Sequence, residues 1–262
     1  MSELKLCPLR SSSKGNCTII FSGDVRILVD CGISGKALDE CLQAAGLSPD
    51  TINAILITHE HSDHIKGVGI VSRKYNIPVF ANSRTWQAMR VQLGKISDEN
   101  VRVFETGKSF DINGIGVKAF HTSHDAAESV GYIFEKNGER VAVATDTGKL
   151  TDEITEALIG CHTVLIEANY DENMLDVGPY PYDLKRRIKG SCGHLCNDVC
   201  GQLARLLAEN GTERIFLGHL SEENNFPQLA LKTVENCLAD CVAESERFRL
   251  AVITKEGRIL EN

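Results

Sequence analysis

The residues best suited to chemistry stand together in Thr58-His59-Glu60-His61-Ser62-Asp63-His64. Three of the eight histidines and an aspartate fall here, directly after the apolar run NAILITH (53–59). A loop leaving a rigid strand can turn alternate side chains toward one point. His59 and His61 can then face one cation while Asp63 and His64 face a second. Imidazole nitrogen and carboxylate oxygen suit Zn2+, Mn2+ or Fe2+, and two such ions would lie about 3.5–4 Å apart. A polar surface loop with incidental histidines is the plain alternative, and it leaves so dense a set of ligand types at a strand end unexplained.

The elements that must position this loop follow from hydrophobic periodicity. Strands are predicted at 5–9, 17–21 and 25–30, with Ser22-Gly23-Asp24 as a hairpin turn. A helix is predicted over 35–45, and NAILITH should be a strand buried on both faces. A helix at 65–75, a strand at 78–81 and a helix at 84–93 come next. The middle is strand-rich, at 101–104, 115–121, 129–135 and 140–146. Beyond it, helices at 152–159, 184–188, 197–210 and 228–243 interleave with strands at 163–168, 214–219 and 249–254. Strands in groups with helices between them predict layered α/β, not a bundle or a pure barrel. No linker, repeat or low-complexity tract divides the chain, so a single domain over 1–262 is expected.

Composition removes several classes. The 262 residues carry 28 Lys and Arg against 36 Asp and Glu, a net charge of −8 that excludes a general basic coat. No apolar run approaches the ~20 residues of a membrane span, and the N-terminus lacks a signal peptide's apolar core. A cytoplasmic protein with no membrane partner is expected. Its ten cysteines are then thiols or metal ligands, not a disulfide framework. Cys192, Cys196 and Cys200, like Cys237 and Cys241, recur every four residues, which predicts packing on helix faces.

The motif H-x-H-x-D-H after an apolar strand resembles that of the metallo-β-lactamase superfamily. The resemblance implies a four-layer αβ/βα sandwich with a one- or two-metal site built from strand-end loops. In VDCG (29–32), Asp30 resembles that family's structural support for the metal loop. His124, opening HDAAESVGY, resembles the third histidine ligand, with His121 as its competitor. Asp146 in TDTG resembles the bridging carboxylate, and His219 in GHLS the last ligand. The implied sets are His59, His61 and His124 for one metal and Asp63, His64 and His219 for the other, with Asp146 between. No cysteine stands at a ligand position, which points toward phosphoester or thioester hydrolases and away from antibiotic hydrolysis.

Glu167 and His194 resemble the supporting pair of the phosphodiesterase branch that includes tRNase Z. There the histidine protonates the leaving oxygen, the glutamate steadies it, and Asp63 joins them in the catalytic set. The full string, SSSKGNC (11–17), THEHSDH, HDA, TDTG, EANYDENML, GPYPYDLKRRIKGSCGHLCN and LGHLSEENN, is similar to that of the YycJ/WalJ family. Lys14 and Cys196 depart from that pattern at positions that are not ligands. The resemblance implies a 5′→3′ exonuclease acting on DNA, with cations that supply the nucleophile by lowering the pKa of water. Lys185, Arg186, Arg187 and Lys189 then read as phosphate contacts or, equally, as a solvated helix face. Tyr180 and Tyr182 read as base-stacking residues or loop packing, and Ser221, Asn224 and Asn225 as hydrogen-bond donors to a phosphate. The alternatives are a small-substrate hydrolase of the same fold, a tRNase Z-like ribonuclease, and a non-catalytic metal sensor or scaffold. Oligomeric state is left open.

Overall fold

The structure, a computed structural model, describes residues 2–241 and 247–261. The first half runs β1 (Lys5–Arg10), β2 (Cys17–Ser22), β3 (Val25–Val29), α1 (Gly35–Ala44), β4 (Ala54–Leu56), α2 (Ser62–Ile65), α3 (Val68–Tyr75), β5 (Val79–Asn82), α4 (Ser83–Leu93) and β6 (Val101–Phe104). These strands form one sheet in chain order, antiparallel from β1 to β3 and parallel from β3 to β6.

The second half runs β7 (Ser109–Ile112), β8 (Ile115–His121), β9 (Val130–Lys136), β10 (Glu139–Ala144), α5 (Asp152–Leu158), β11 (Thr163–Glu167), α6 (Glu172–Val177), α7 (Tyr182–Lys189), α8 (Asn197–Glu209), β12 (Arg214–Gly218), α9 (Pro227–Leu238), β13 (Arg249–Ile253) and β14 (Ile259–Glu261). They form the second sheet, with β10 to β13 parallel at its centre.

Strand alternation builds the layers. Ala54 and Leu56 of β4 point into the space between the sheets, where they meet Leu165, Phe216, Tyr132 and Phe134. Ile55 and Ile57 point outward, against Leu38 and Leu42 of α1 and Val71 of α3. On the other sheet, Val164 and Ile166 face outward toward Leu203 and Leu207 of α8 and Val234 of α9. Each central strand is thus apolar on both faces, and the layers stack as αβ/βα. The expected four-layer fold is present. Among the described residues no helix is long and apolar enough to cross a membrane.

Local chemistry explains where elements start and stop. Ser34 accepts a hydrogen bond from the amide of Ala37 at 3.2 Å and so caps α1. The helix expected over 65–75 is two helices broken at Gly67, whose amide donates to Cys31 O at 2.8 Å. A Cβ there would lie 2.1 Å from Ile33 O, so only glycine lets the loop after β3 pass this closely. The short β7, β14 and α6 are additions to the expected elements. Helix α9 ends at Leu238, and positions 242–243 of the expected helix lie outside the described residues. Only Cys200 and Cys237 of the spaced cysteines lie within helices. Cys192 is exposed in the loop before α8, which corrects the helix-face reading for it.

Candidate metal centre

Parallel strands deliver their carboxyl ends to one edge, and that edge gathers the candidate ligands. Asp30 follows β3, His59 follows β4, Asp146 follows β10, Glu167 ends β11 and His219 follows β12. Asp30, Asp146 and His219 adopt left-handed backbone conformations, with φ of 60°, 58° and 54°. For a residue with a Cβ such a conformation costs on the order of 1 kcal/mol. In return the chain turns at once as it leaves the sheet and leaves the side chain at the strand end.

Ligand atoms of His59, His61 and His124 lie within 4.8 Å of one another, as do those of Asp63, His64 and His219. Asp146 reaches both groups: one oxygen is 3.4 Å from His64 Nε2 and the other 3.3 Å from His219 Nε2 and 3.8 Å from His124 Nε2. His121, the competitor of His124, is half exposed and bonds Glu153 instead.

Partners on the far side of each ring fix which nitrogen faces inward. His64 Nδ1 bonds Asp30 at 2.7 Å, His219 Nδ1 bonds Glu167 at 2.7 Å, and His124 Nδ1 bonds Gly193 O at 3.0 Å. With its outer nitrogen so committed, each ring keeps its inner nitrogen for a cation, which would take the place of any proton held there. Asp30 also accepts from the amide and hydroxyl of Thr58, at 2.9 and 2.8 Å.

The donor set fits a divalent cation. His59 Nε2 and one oxygen of Asp146 are fully buried with no hydrogen-bond partner. His61 Nδ1 and His124 Nε2 face each other at 3.3 Å. The unpartnered nitrogen of His59 and oxygen of Asp146 are costly to bury unless a cation satisfies them. The electrostatics agree. Burial and the neighbouring imidazoles push His59 well below its ordinary pKa, keeping it neutral. Burial opposes charge on His219, yet Asp146, Asp63 and Glu167 lift it to about 10. Burial also opposes ionisation of Asp63 and Asp146, but the surrounding histidines hold both below the usual carboxylate range. The buried Asp30, Asp146 and Glu167, with the half-buried Asp63, together demand positive charge here.

Beside this cluster, His194 Nδ1 bonds Glu167 at 2.7 Å. The same Glu167 oxygen serves His219, so one carboxylate orients both rings. Burial opposes protonation of His194, but the charge of Glu167 wins and raises its pKa. The ring is 19% exposed, against 0% for His64 and 2% for His219, which leaves it within reach of solvent.

The expected phosphate contacts divide. Arg187 turns toward the cluster and pairs with Asp125, whose neighbour is His124. Lys185 donates to the carbonyls of Asp176 and Gly178 at 2.8 and 2.7 Å, so it braces α6 against α7. Lys189 pairs with Asp176 at 2.6 Å, and Arg186 lies 3.6 Å from Asp183. The basic run is therefore two faces of one helix and not a single strip. Asn224 and Asn225 are buried, at 0% and 4% exposure. Asn225 donates to the carbonyls of Ala168 and Asn169 and to Asn197. Asn224 bonds Ser221 Oγ. Neither is open to a phosphate, which corrects that expectation: Asn225 ties the loop after His219 to the loop after β11 with its side chain, and Asn224 does so through its carbonyl, which accepts from the Asp171 amide at 2.9 Å.

Sequence reasoning missed a set of supporting groups. Asn16 places its amide 3.1 Å from His64 Nε2 and 3.4 Å from Asp63. Asn169 donates to the carbonyl of His219 at 2.7 Å, and Ser11 accepts from the His219 amide at 2.8 Å. The signal available was weak: SSSKGN packs small polar residues between two strands, and only the fold shows that they meet His219.

Residues 25–220 match the model of the β-lactamase superfamily domain. The chain is 39% identical to "Exodeoxyribonuclease YycJ" of Bacillus anthracis over 232 residues, covering 88% of each chain. It is 40% identical to "Exodeoxyribonuclease WalJ" of Streptococcus pneumoniae over 243 residues, 91% of this chain and 90% of that one. Among solved structures, the metallo-β-lactamase fold protein YhfI of Bacillus subtilis superposes with a TM-score of 0.72 over 99% of both chains, at 14% identity, which speaks for the fold alone. The chain belongs to the β-lactamase superfamily and, within it, to the family of YycJ and WalJ.

Proposed function

We propose that this chain, acting as one domain, is a phosphodiesterase that uses two divalent cations, Zn2+ or Mn2+, to degrade DNA from a 5′ end. The names of the two similar proteins, both exodeoxyribonucleases, support the substrate class. His59, His61 and His124 would hold one ion, Asp63, His64 and His219 the other, and Asp146 would serve both. Bound there, the ions neutralise phosphate charge and lower the pKa of water.

The observation that carries the reading is the His194–Glu167 pair beside the donor cluster. A leaving alkoxide has a very basic oxygen, and a positioned acid accelerates its departure by about 10²–10⁴-fold. His194 can deliver that proton from Nε2, because its Nδ1–H is committed to Glu167. Glu167, held ionised by His194 and His219 against the effect of burial, stabilises the imidazolium before transfer. The ten cysteines are all free thiols, in keeping with a reducing cytoplasm.

Purified protein with Mn2+ or Zn2+ should release mononucleotides from the 5′ end of labelled single- or double-stranded DNA. Cleavage of RNA alone would transfer the assignment to a ribonuclease. Cleavage of small diesters without either polymer would point to a small-substrate hydrolase, and metal binding with no turnover to a sensor.

A further inference from the structure

Helix α7 is the one helix among the described residues with no buried side chain. Its inner face, with Leu184 and Ile188 half-buried and Ile188 against Tyr170, Leu175 and Cys196, is set by packing, and its outer face is left to answer to something outside the fold. Tyr182, Lys185, Arg186 and Lys189 recur at i, i+3, i+4 and i+7, the spacing of a single helical stripe. That stripe, with Tyr180 and Asp176, lines an open groove of about 560 Å³, a size within the range of ligand sites. Val177 and Tyr182, 86% and 77% exposed, leave apolar surface in the same region. The groove also has a built wall. Lys185 ties α7 to the end of α6 through two carbonyls, and Lys189 ties it again through Asp176.

The chain ties the groove to the reaction centre. Gly190 also lines it, and four residues on stands His194, whose amide donates to Ile188 O of the same helix at 2.9 Å. Ser123 Oγ holds Ser191 O at 2.7 Å, and Arg187, on the other side of α7, pairs with Asp125. The helix is thereby fixed to the loop that carries His124. A polymer lying along the stripe would therefore rest on the helix that holds the His194 segment in place.

Resting on the phosphodiesterase reading above, we propose that this groove is a track for single-stranded DNA, in which bases stack on the exposed Tyr182, while Tyr180 packs against Tyr170 and Leu175, and phosphates meet Arg186 and Lys189. Aromatic faces interleaved with cations suit unpaired bases, because a paired base hides its faces in the duplex stack. Stacking on one aromatic ring is worth about tenfold or more in affinity. Two phosphate contacts steepen the salt dependence by a slope of about 1.4.

The test compares the wild type with the triple variant Tyr182→Ala, Arg186→Ala, Lys189→Ala, all at exposed positions. Binding is measured on Mn2+-loaded protein with cleavage-resistant phosphorothioate oligo-dT, a blunt duplex and a matched RNA, across a salt series. Turnover of a small chromogenic phosphodiester, too short to reach the groove, runs in parallel. The variant should bind oligo-dT about tenfold or more weakly with a flatter salt slope, while blunt-duplex affinity and small-diester turnover stay at wild-type values. Tyr182→Phe alone should retain binding. Unchanged oligo-dT affinity and slope in the variant would overturn the track, as would an equal loss on the blunt duplex. RNA held more tightly than DNA and weakened by the same variant would overturn the assignment of DNA as occupant. A wild type that binds through the stripe but cuts no DNA leaves the track standing and removes the nuclease reading. A wild type that cuts DNA, with the variant cutting and binding alike, does the reverse.

Discussion

The cluster of candidate metal ligands and helix α7, joined through Arg187 and Asp125, are built on opposite principles. In the cluster His64, Asp146 and His219 are almost fully buried, and Asp30, Glu167 and Asn169 fix them from behind. On α7 no side chain is fully buried, and the helix is held by the half-buried Ile188 and a few polar ties such as Lys185 to Asp176 and Gly178. The contrast teaches where precision is needed. Bond rearrangement tolerates little displacement, so its groups sit on strand ends locked by the sheet. Holding a flexible polymer needs only charge and flat surface, which a solvent-facing helix provides.

Substitutions can break or sharpen this contrast. The largest effect is expected for Asp146→Asn, which takes the charge from the carboxylate facing both ligand groups. Bound metal per chain should fall, read by elemental analysis, and activity should drop by about three to four orders of magnitude, the worth of several kcal/mol. A variant with full metal content and normal rates would remove Asp146 from the centre.

Next comes His194→Ala, with an expected loss of about 10²–10⁴-fold on DNA. The loss should nearly vanish on a diester with a p-nitrophenolate leaving group, which departs without an acid. The pH profile carries a sign. His194 works protonated and Glu167 raises its pKa, so the rate should decline as pH rises through that raised value. In Glu167→Gln that decline should begin at lower pH. A decline at unchanged pH would detach Glu167 from the acid.

A smaller effect is expected for Asp30→Asn, which touches no substrate. It weakens the grip on His64 Nδ1 and Thr58, and loss of such outer support costs about 10–100-fold in metal affinity. Competition with a chelator measures it. The smallest belongs to the boundary between the two regions. Arg187→Ala removes a partly exposed ion pair with Asp125, worth at most about 1 kcal/mol after solvent screening. Burial opposes ionisation of Asp125, but Arg187 prevails and lowers its pKa. The stabilisation is therefore present above the ordinary carboxylate range and lost as pH falls through the lowered value. Thermal unfolding at neutral pH should shift by no more than about 2–4 °C, with the gap between variant and wild type closing in acid.

Legibility followed the same division. His59, His61, Asp63 and His64 could be read because ligand types rarely crowd beside a buried strand, and β4 supplied the strand. His124, Asp146, Glu167, His194 and His219 gained meaning only from their order after that motif, since a lone strand-end aspartate or histidine also reads as a turn. The central strands were legible from apolar runs such as those of β11 and β12. The three-residue β14 and six-residue α6 are too short to show a period. Asn224 and Asn225 misled because a polar residue beside a ligand looks the same in sequence whether it faces solvent or ties two loops. The basic run of α7 hid its two faces for the same reason: composition records the charges and not where each one points.

The left-handed backbone at Asp30, Asp146 and His219 has an evolutionary consequence. A glycine would adopt any of these three turns without a Cβ penalty, so relaxation of the fold and loss of the chemistry lie along the same mutational step. The same exchange at Asp30 would strip the partners from Thr58 and His64, and at His219 from Glu167, so the strain relieved is offset by buried groups left unpaired. The strained turns are thus held in place by the very hydrogen bonds that aim the ligands.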